Sequence, residues 1–207
     1  STGISESVCR CNACARMELF APMVVTTSFS PLGSHRQMQP KSTGRLSSRL
    51  RMMTWKMLAR SCRSPMAEGV FKHYVTEAGL VQRIVSDSAG THDYHVGDPP
   101  DPRAQRASER RGYDISGLRG RQVSRRDFGE FHYVLAMDEV NLRLLLRLCP
   151  QEHVHKVRLF MEFAADPALR EVPDPYYGGA EGFERVLDMA EQAAQGLLCH
   201  LRAEIPA

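Results

Sequence analysis

Cys62-Arg63-Ser64-Pro65-Met66-Ala67-Glu68 joins an anion-binding turn to the start of a helix, and the rest of the chain is arranged around it. Ser64 suits a helix cap, and Pro65 suits a first helical position, where no backbone N–H is needed. The apolar residues Met66, Val70, Phe71 and Val75 then recur at helical spacing until Gly79, which predicts a helix over 65–78. A helix N-terminus offers unpaired N–H groups and a partial positive charge, and Arg63 adds a fork of donors matched to two phosphate oxygens. The stretch therefore reads as a phosphate cradle; taken alone it reads equally well as an ordinary capped surface helix.

The 207 residues, 43% of them hydrophobic, are enough for one sizeable core, so the expected division is a domain over 51–207 with an extension over 1–50. No apolar run approaches the length of a membrane span, and no membrane partner is expected. The net charge of +3 hides an asymmetry. Residues 1–67 hold ten Lys/Arg against two acids, and residues 68–207 hold seventeen against twenty-two. Between Leu19 and Ala67 there is no Asp or Glu, while Arg, Ser and Thr are frequent, as in an organelle transit sequence. A basic irregular tail, or a stretch that is not natural coding sequence, fits as well. Aromatic residues are sparse among these charges, only Phe20, Phe29 and Trp55, so no nucleic-acid partner is expected.

Cysteines stand at 9, 11, 14, 62, 149 and 199, a clustering unlike a secreted disulfide framework. A reducing, cytoplasmic setting is expected, with plastid or mitochondrion as the alternative if residues 1–50 are a transit segment. Cys9-Arg10-Cys11-Asn12-Ala13-Cys14 lacks a second ligand pair at zinc spacing, so neither metal nor cofactor is expected.

Along the chain, Met23–Phe29 is a β-branched run and 34–51 reads as loop. After the 65–78 helix, strands are predicted at Arg83–Ser88, Phe131–Ala136 and Lys156–Phe160. Helices are predicted from Pro102 to near Gly112 behind an Asp101 cap, after an Asp138 cap with Leu142, Leu145 and Leu146, and from Glu181 to about Leu201. The last would bury Phe183, Leu187, Ala190, Ala194, Leu197 and Leu201. Strands alternating with helices predict an α/β fold, a parallel sheet covered on both faces, with ligands at the carboxyl ends of its strands.

Ser88-Ala89-Gly90-Thr91, His95-Val96-Gly97, Asp101-Pro102-Arg103-Ala104, Leu135-Ala136-Met137-Asp138 and Asp174-Pro175-Tyr176-Tyr177 follow the cradle in that order. With it they resemble the low-molecular-weight protein tyrosine phosphatases over about residues 62–203. The resemblance implies a flavodoxin-like four-stranded parallel sheet and a phosphomonoester hydrolase acting on phosphotyrosine or small aryl phosphates, with inorganic phosphate as a further ligand. It implies a thiolate that attacks phosphorus, Arg63 holding the phosphate oxygens, Ser64 stabilising the thiolate and Asp174 protonating the leaving oxygen. Tyr176 and Tyr177 would wall the cleft, and His95, Asp138 and Ser88 would support it. For Asp138 a helix cap is the first reading. Cys62 matches the family's second loop cysteine, a redox partner or reactive thiol outside the nucleophile position.

The family's nucleophile falls at residue 57, which here is Met57, and a thioether has no ionisable proton. Ala59 also stands where the family has a glycine. The preceding Arg51-Met52-Met53-Thr54-Trp55-Lys56 is not the apolar run expected of a doubly covered central strand. Three segments compete for the opening of the loop. Met23–Phe29 is the better strand former, and Met52–Leu58 has the better connection. Val8–Cys14 repeats the family's Val-Cys-x-x-Asn-x-Cys opening, which would make Cys9 the nucleophile candidate and residues 15–62 an insertion. A binding-only pseudophosphatase is the rival reading. An arsenate reductase would need positioned cysteines that Cys149 alone does not supply.

Overall fold

The computed structural model describes residues 50–56, 62–90 and 96–205, with backbone only for 50, 52–56 and 177. Strand β1 runs Leu50–Lys56, helix α1 Arg63–Glu77, β2 Ile84–Gly90 and α2 Pro102–Arg110. Helix α3 (Arg125–Glu130), β3 (Tyr133–Ala136), α4 (Glu139–Leu148), β4 (Val157–Leu159) and α5 (Gly179–Glu204) complete the order. The four strands form one parallel sheet in the order β2-β1-β3-β4, the flavodoxin-like arrangement. Among the described residues no helix is long and apolar enough to cross a membrane.

The central slot is filled by β1. Leu50 to Lys56 pair residue for residue with Ile84 to Gly90, and Met52–Thr54 pair with Tyr133–Leu135 on the other side. The Met52–Leu58 expectation thus falls largely on this strand, while Met23–Phe29 lies outside the described residues. Arg51 is tolerated because it sits near the strand's opening end. Its guanidinium reaches past the sheet to Glu130 (3.9 Å) and lies 5.2 Å from the Phe131 ring centroid. Its backbone N–H donates to His132 Nδ1 (3.1 Å), and its carbonyl accepts from His132 N (2.8 Å).

Two hydrophobic clusters lie on opposite faces of the sheet, and β3 shows why: Val134 and Ala136 join one, Leu135 and Met137 the other. The larger cluster packs α1 and α5 together through Met66, Val70, Phe71, Phe183, Leu187, Ala190, Ala194, Leu197 and Leu201. The smaller gathers Phe128, Phe131 and Leu145 from α3 and α4. Every apolar position expected to be buried in the last helix is buried; Leu146 of α4 is exposed instead, because the helix turns that residue away from the sheet. Helix α3 was not anticipated, although Ser124-Arg125-Arg126-Asp127 carries a helix-start pattern: the Asp127 carboxylate accepts from Ser124 N (2.7 Å).

The α5 helix lies so close to the turn Phe160–Phe163 that a Cβ at Gly196 would stand 1.8 Å from the Phe163 carbonyl oxygen. Backbone cannot swing aside as a side chain can, so Gly196→Ala is expected to destabilise the fold by about 3 kcal/mol, read as a lowered urea midpoint.

Burial holds the His132 imidazole below its ordinary pKa, Lys156 and Arg51 add to this, and Glu204 opposes it. A histidine whose folded pKa is depressed contributes stability in full above its unfolded value, about 6.5, and loses it as pH falls through the lower folded value. The denaturation midpoint should therefore fall as pH drops below about 6.5, and less steeply in His132→Asn.

Candidate active site

The junction of β3 with α4, the loop over 171–174 and the opening of α1 meet at one cavity of about 320 Å³, lined by Arg63, Asp138, Val140, Glu171, Val172, Pro173 and Asp174. Arg63 is the first residue of α1, and it is 6% exposed. Its Nη1 donates to Asp138 Oδ2 (2.7 Å) and to the Val172 carbonyl (2.6 Å). One nitrogen makes both contacts, so the rest of the planar fork is not spent on them.

Each partner is held in turn. Asp138 follows β3 and caps α4, its Oδ1 accepting from Asn141 N (2.7 Å), so one carboxylate serves as helix cap and arginine anchor together. The helix-cap reading of Asp138 therefore holds, and the same side chain meets Arg63. Val172 N donates to the Met137 carbonyl (2.8 Å), which fastens the loop before Asp174 to the end of β3. Asp174 is exposed, and its Oδ1 accepts from Tyr176 N (3.0 Å). The turn leaves the second oxygen of Asp174 outside that bond, on a residue that lines the same cavity as Arg63.

Two expectations about the cradle need correction. Ser64 is not the helix cap, because the helix starts earlier: Cys62 holds that position and its carbonyl accepts from Met66 N (3.2 Å). Ser64 becomes the second helical residue, 1% exposed, with an Oγ that has no partner among the described residues. Pro65 is accordingly third in the helix and not first; it still falls within the first turn, where its missing N–H costs nothing.

The other candidates fall as follows. Cys62 is 3% exposed at the head of α1. Tyr176 stands two residues after Asp174, 38% exposed, and is not among the residues that line the cavity. Ser88 lies on β2 opposite Thr54, its N–H on Asp87 Oδ1 (2.8 Å), and is not brought to the cavity. Cys9, Met57 and His95, and the side chain of Tyr177, lie outside the described residues. Among the described residues no cluster of three or more His, Cys, Asp or Glu is placed to hold a metal ion.

Two groups at the cavity escaped sequence reasoning. The Val172 carbonyl carries no side-chain signal. Glu171, whose Oε1 accepts from Glu139 N (3.1 Å) at the opening of α4, sits three residues before Asp174 in a segment that reads as plain loop. Among the described residues three carboxylates thus line the cavity against one arginine, so of these groups Arg63 and the α1 terminus are the ones suited to an anion.

A flavodoxin-like sheet with a buried arginine at a helix head, anchored by one aspartate and sharing its cavity with another, defines an α/β protein of the phosphate-handling kind. The family model described as low molecular weight phosphotyrosine protein phosphatase matches residues 57–207, and the chain belongs to that family. A putative low molecular weight protein-tyrosine-phosphatase, slr0328 of Synechocystis sp., is 46% identical over 149 residues, covering 72% of this chain and 94% of that one. The crystal structure of YfkJ from Bacillus subtilis superimposes with a TM-score of 0.72 at 32% identity, covering 78% of this chain and 99% of that one. A protein tyrosine phosphatase from Entamoeba histolytica, solved with Hepes in its active site, gives a TM-score of 0.71 at 37% identity, over 75% and 98% of the two chains.

Asp138→Ala would leave the Arg63 charge buried without its anion and α4 without its cap. The expected cost is about 3–5 kcal/mol in urea denaturation, with Asp138→Asn losing less because an amide oxygen still caps the helix.

Proposed function

We propose that the cavity binds the phosphate of phosphotyrosine or a small aryl phosphate, and that its residues are arranged for phosphomonoester hydrolysis through a cysteinyl-phosphate. One observation carries the reading: Arg63 is fixed by Asp138 and the Val172 carbonyl at the head of α1, in the same cavity as Asp174. Family membership supports it, since the similar proteins are named protein tyrosine phosphatases.

In this reading Arg63 and the first-turn N–H groups of α1 hold the equatorial phosphate oxygens, and their charge is already in place before the substrate arrives. A thiolate attacks phosphorus in line, the P–O ester bond breaks, and the carboxyl of Asp174 gives its proton to the departing phenol oxygen. Water then attacks the cysteinyl-phosphate, Asp174 takes a proton back, and thiolate and inorganic phosphate are released. Tyr176 offers a flat face for the substrate's ring.

The second reading, a phosphate- or phosphotyrosine-binding pseudophosphatase, is favoured by Met57, which gives no thiolate where the family's nucleophile falls. Cys62 is a poor substitute, because its side chain is buried beside Arg63 and outside the in-line position. The same reading keeps 1–50 as an extension outside the phosphatase domain and a cytoplasmic setting; sequencing the transcript over the codons for residues 1–65 tests whether that extension is genuine.

Hydrolysis of p-nitrophenyl phosphate at mildly acidic pH, beside calorimetric phosphate binding, tests both readings. The chain as written should bind phosphate with little turnover. Met57→Cys should raise turnover by on the order of 10⁶, and adding Asp174→Ala should remove most of that gain. Phosphate binding with no gain in Met57→Cys would leave the binding module and remove the hydrolase. No phosphate binding in either form would overturn both.

A further inference from the structure

Asp101-Pro102-Arg103-Ala104 opens α2, far in sequence from Asp174, yet its arginine reaches the ring of Tyr176, two residues after Asp174. Asp101 is 3% exposed and grips the Arg103 side chain with both oxygens, Oδ1 on Nε (3.1 Å) and Oδ2 on Nη2 (3.0 Å). Oδ1 also accepts from Arg103 N (2.7 Å), as a helix cap. Two parallel bonds fix the plane of a guanidinium as well as its position.

That plane lies against aromatic rings. The Arg103 guanidinium carbon is 5.1 Å from the Tyr176 ring centroid and 5.3 Å from that of Phe183, which is buried in the first turns of α5. Tyr176 is thereby held at two points by two different groups. Asp174 takes its backbone N–H, and Arg103 takes its ring. The distance between the proposed acid and the aromatic wall is set by this pair of ties.

We propose that Arg103, clamped by Asp101, is a positioning residue that sets the Tyr176 ring as the wall selecting aryl phosphates over phosphate alone. The proposal rests on the phosphate-binding reading of the cavity. A planar cation on one face keeps the ring from rotating toward solvent, so the ordering of an exposed tyrosine is supplied before binding. Lysine would keep the charge opposite Asp101 but lose the plane and the fork.

Calorimetric affinities for phosphotyrosine and for inorganic phosphate, measured on the full chain, Arg103→Ala, Arg103→Lys, Tyr176→Ala and the Arg103→Ala/Tyr176→Ala double variant, test it. Arg103→Ala should weaken phosphotyrosine about three- to fivefold, with phosphate changed by less than about twofold. Arg103→Lys should follow Arg103→Ala, and in the Tyr176→Ala background removing Arg103 should have no further effect on phosphotyrosine. If Arg103→Ala does not fold, Arg103→Lys and its double variant with Tyr176→Ala carry the same cycle. An equal loss of phosphate affinity, or losses that simply add in the double variant, would overturn the proposal while leaving the function of the cavity intact. Absence of phosphate binding by the unaltered chain would remove that function and the proposal with it.

Discussion

A charge of one sign buried at a helix head needs a partner, and the 2.7 Å pair between Arg63 and Asp138 meets that need across 75 residues of sequence. Taking both groups out of water is costly, and their attraction offsets this only where the remaining donors and acceptors are also satisfied. Here that need is met in part: Arg63 Nη1 gains the Val172 carbonyl, and Asp138 gains the Asn141 N–H. The pair binds three elements at one point, the head of α1, the junction of β3 with α4, and the loop that leads to Asp174. The cavity is the space those three leave between them. Its shape follows from an electrostatic requirement that the apolar core alone would not impose.

Under the proposed function the same pair holds a phosphate site beside an altered loop. Electrostatic stabilisation by a fixed arginine and a helix terminus does not depend on which side chain attacks phosphorus. In that reading Met57 supplies no attacking atom, while Arg63 is held by Asp138 at the cap of α4 and by the Val172 carbonyl. In that reading recognition and attack fall to separate parts of the chain, so losing the second does not require losing the first.

The central strand teaches a similar separation. Arg51 to Lys56 has the wrong composition for a strand covered on both faces, yet the backbone of β1, Leu50–Lys56, pairs with β2 along seven residues and with β3 along three. An empty slot would leave two unpaired edges facing each other inside the protein, which is costlier than an unfavourable side-chain pattern. Arg51 escapes the cost of burial by reaching Glu130 and the Phe131 ring at the sheet's margin. Backbone pairing outweighed side-chain preference in this segment.

Much of the molecule was legible from local pattern. Asp101 and Asp138 cap the helices they precede, the apolar spacing of α5 names its buried face, and the order of strands and helices implies the parallel sheet, because each of these depends on neighbours within a few residues. Ser64 shows where local pattern stops: its residue type suits a cap, but Arg63 adopts helical geometry first and moves the cap to Cys62. Glu171, the Val172 carbonyl and the stacking of Arg103 on Tyr176 gave no signal at all, since each acquires its role from a partner elsewhere in the chain. Sequence by itself determined the elements, their order and the residue types able to handle a phosphate, through propensity and periodicity. Only the tertiary structure decided which of those residues share a cavity, because hydrogen bonds and ring contacts between distant segments depend on distances that no local rule contains.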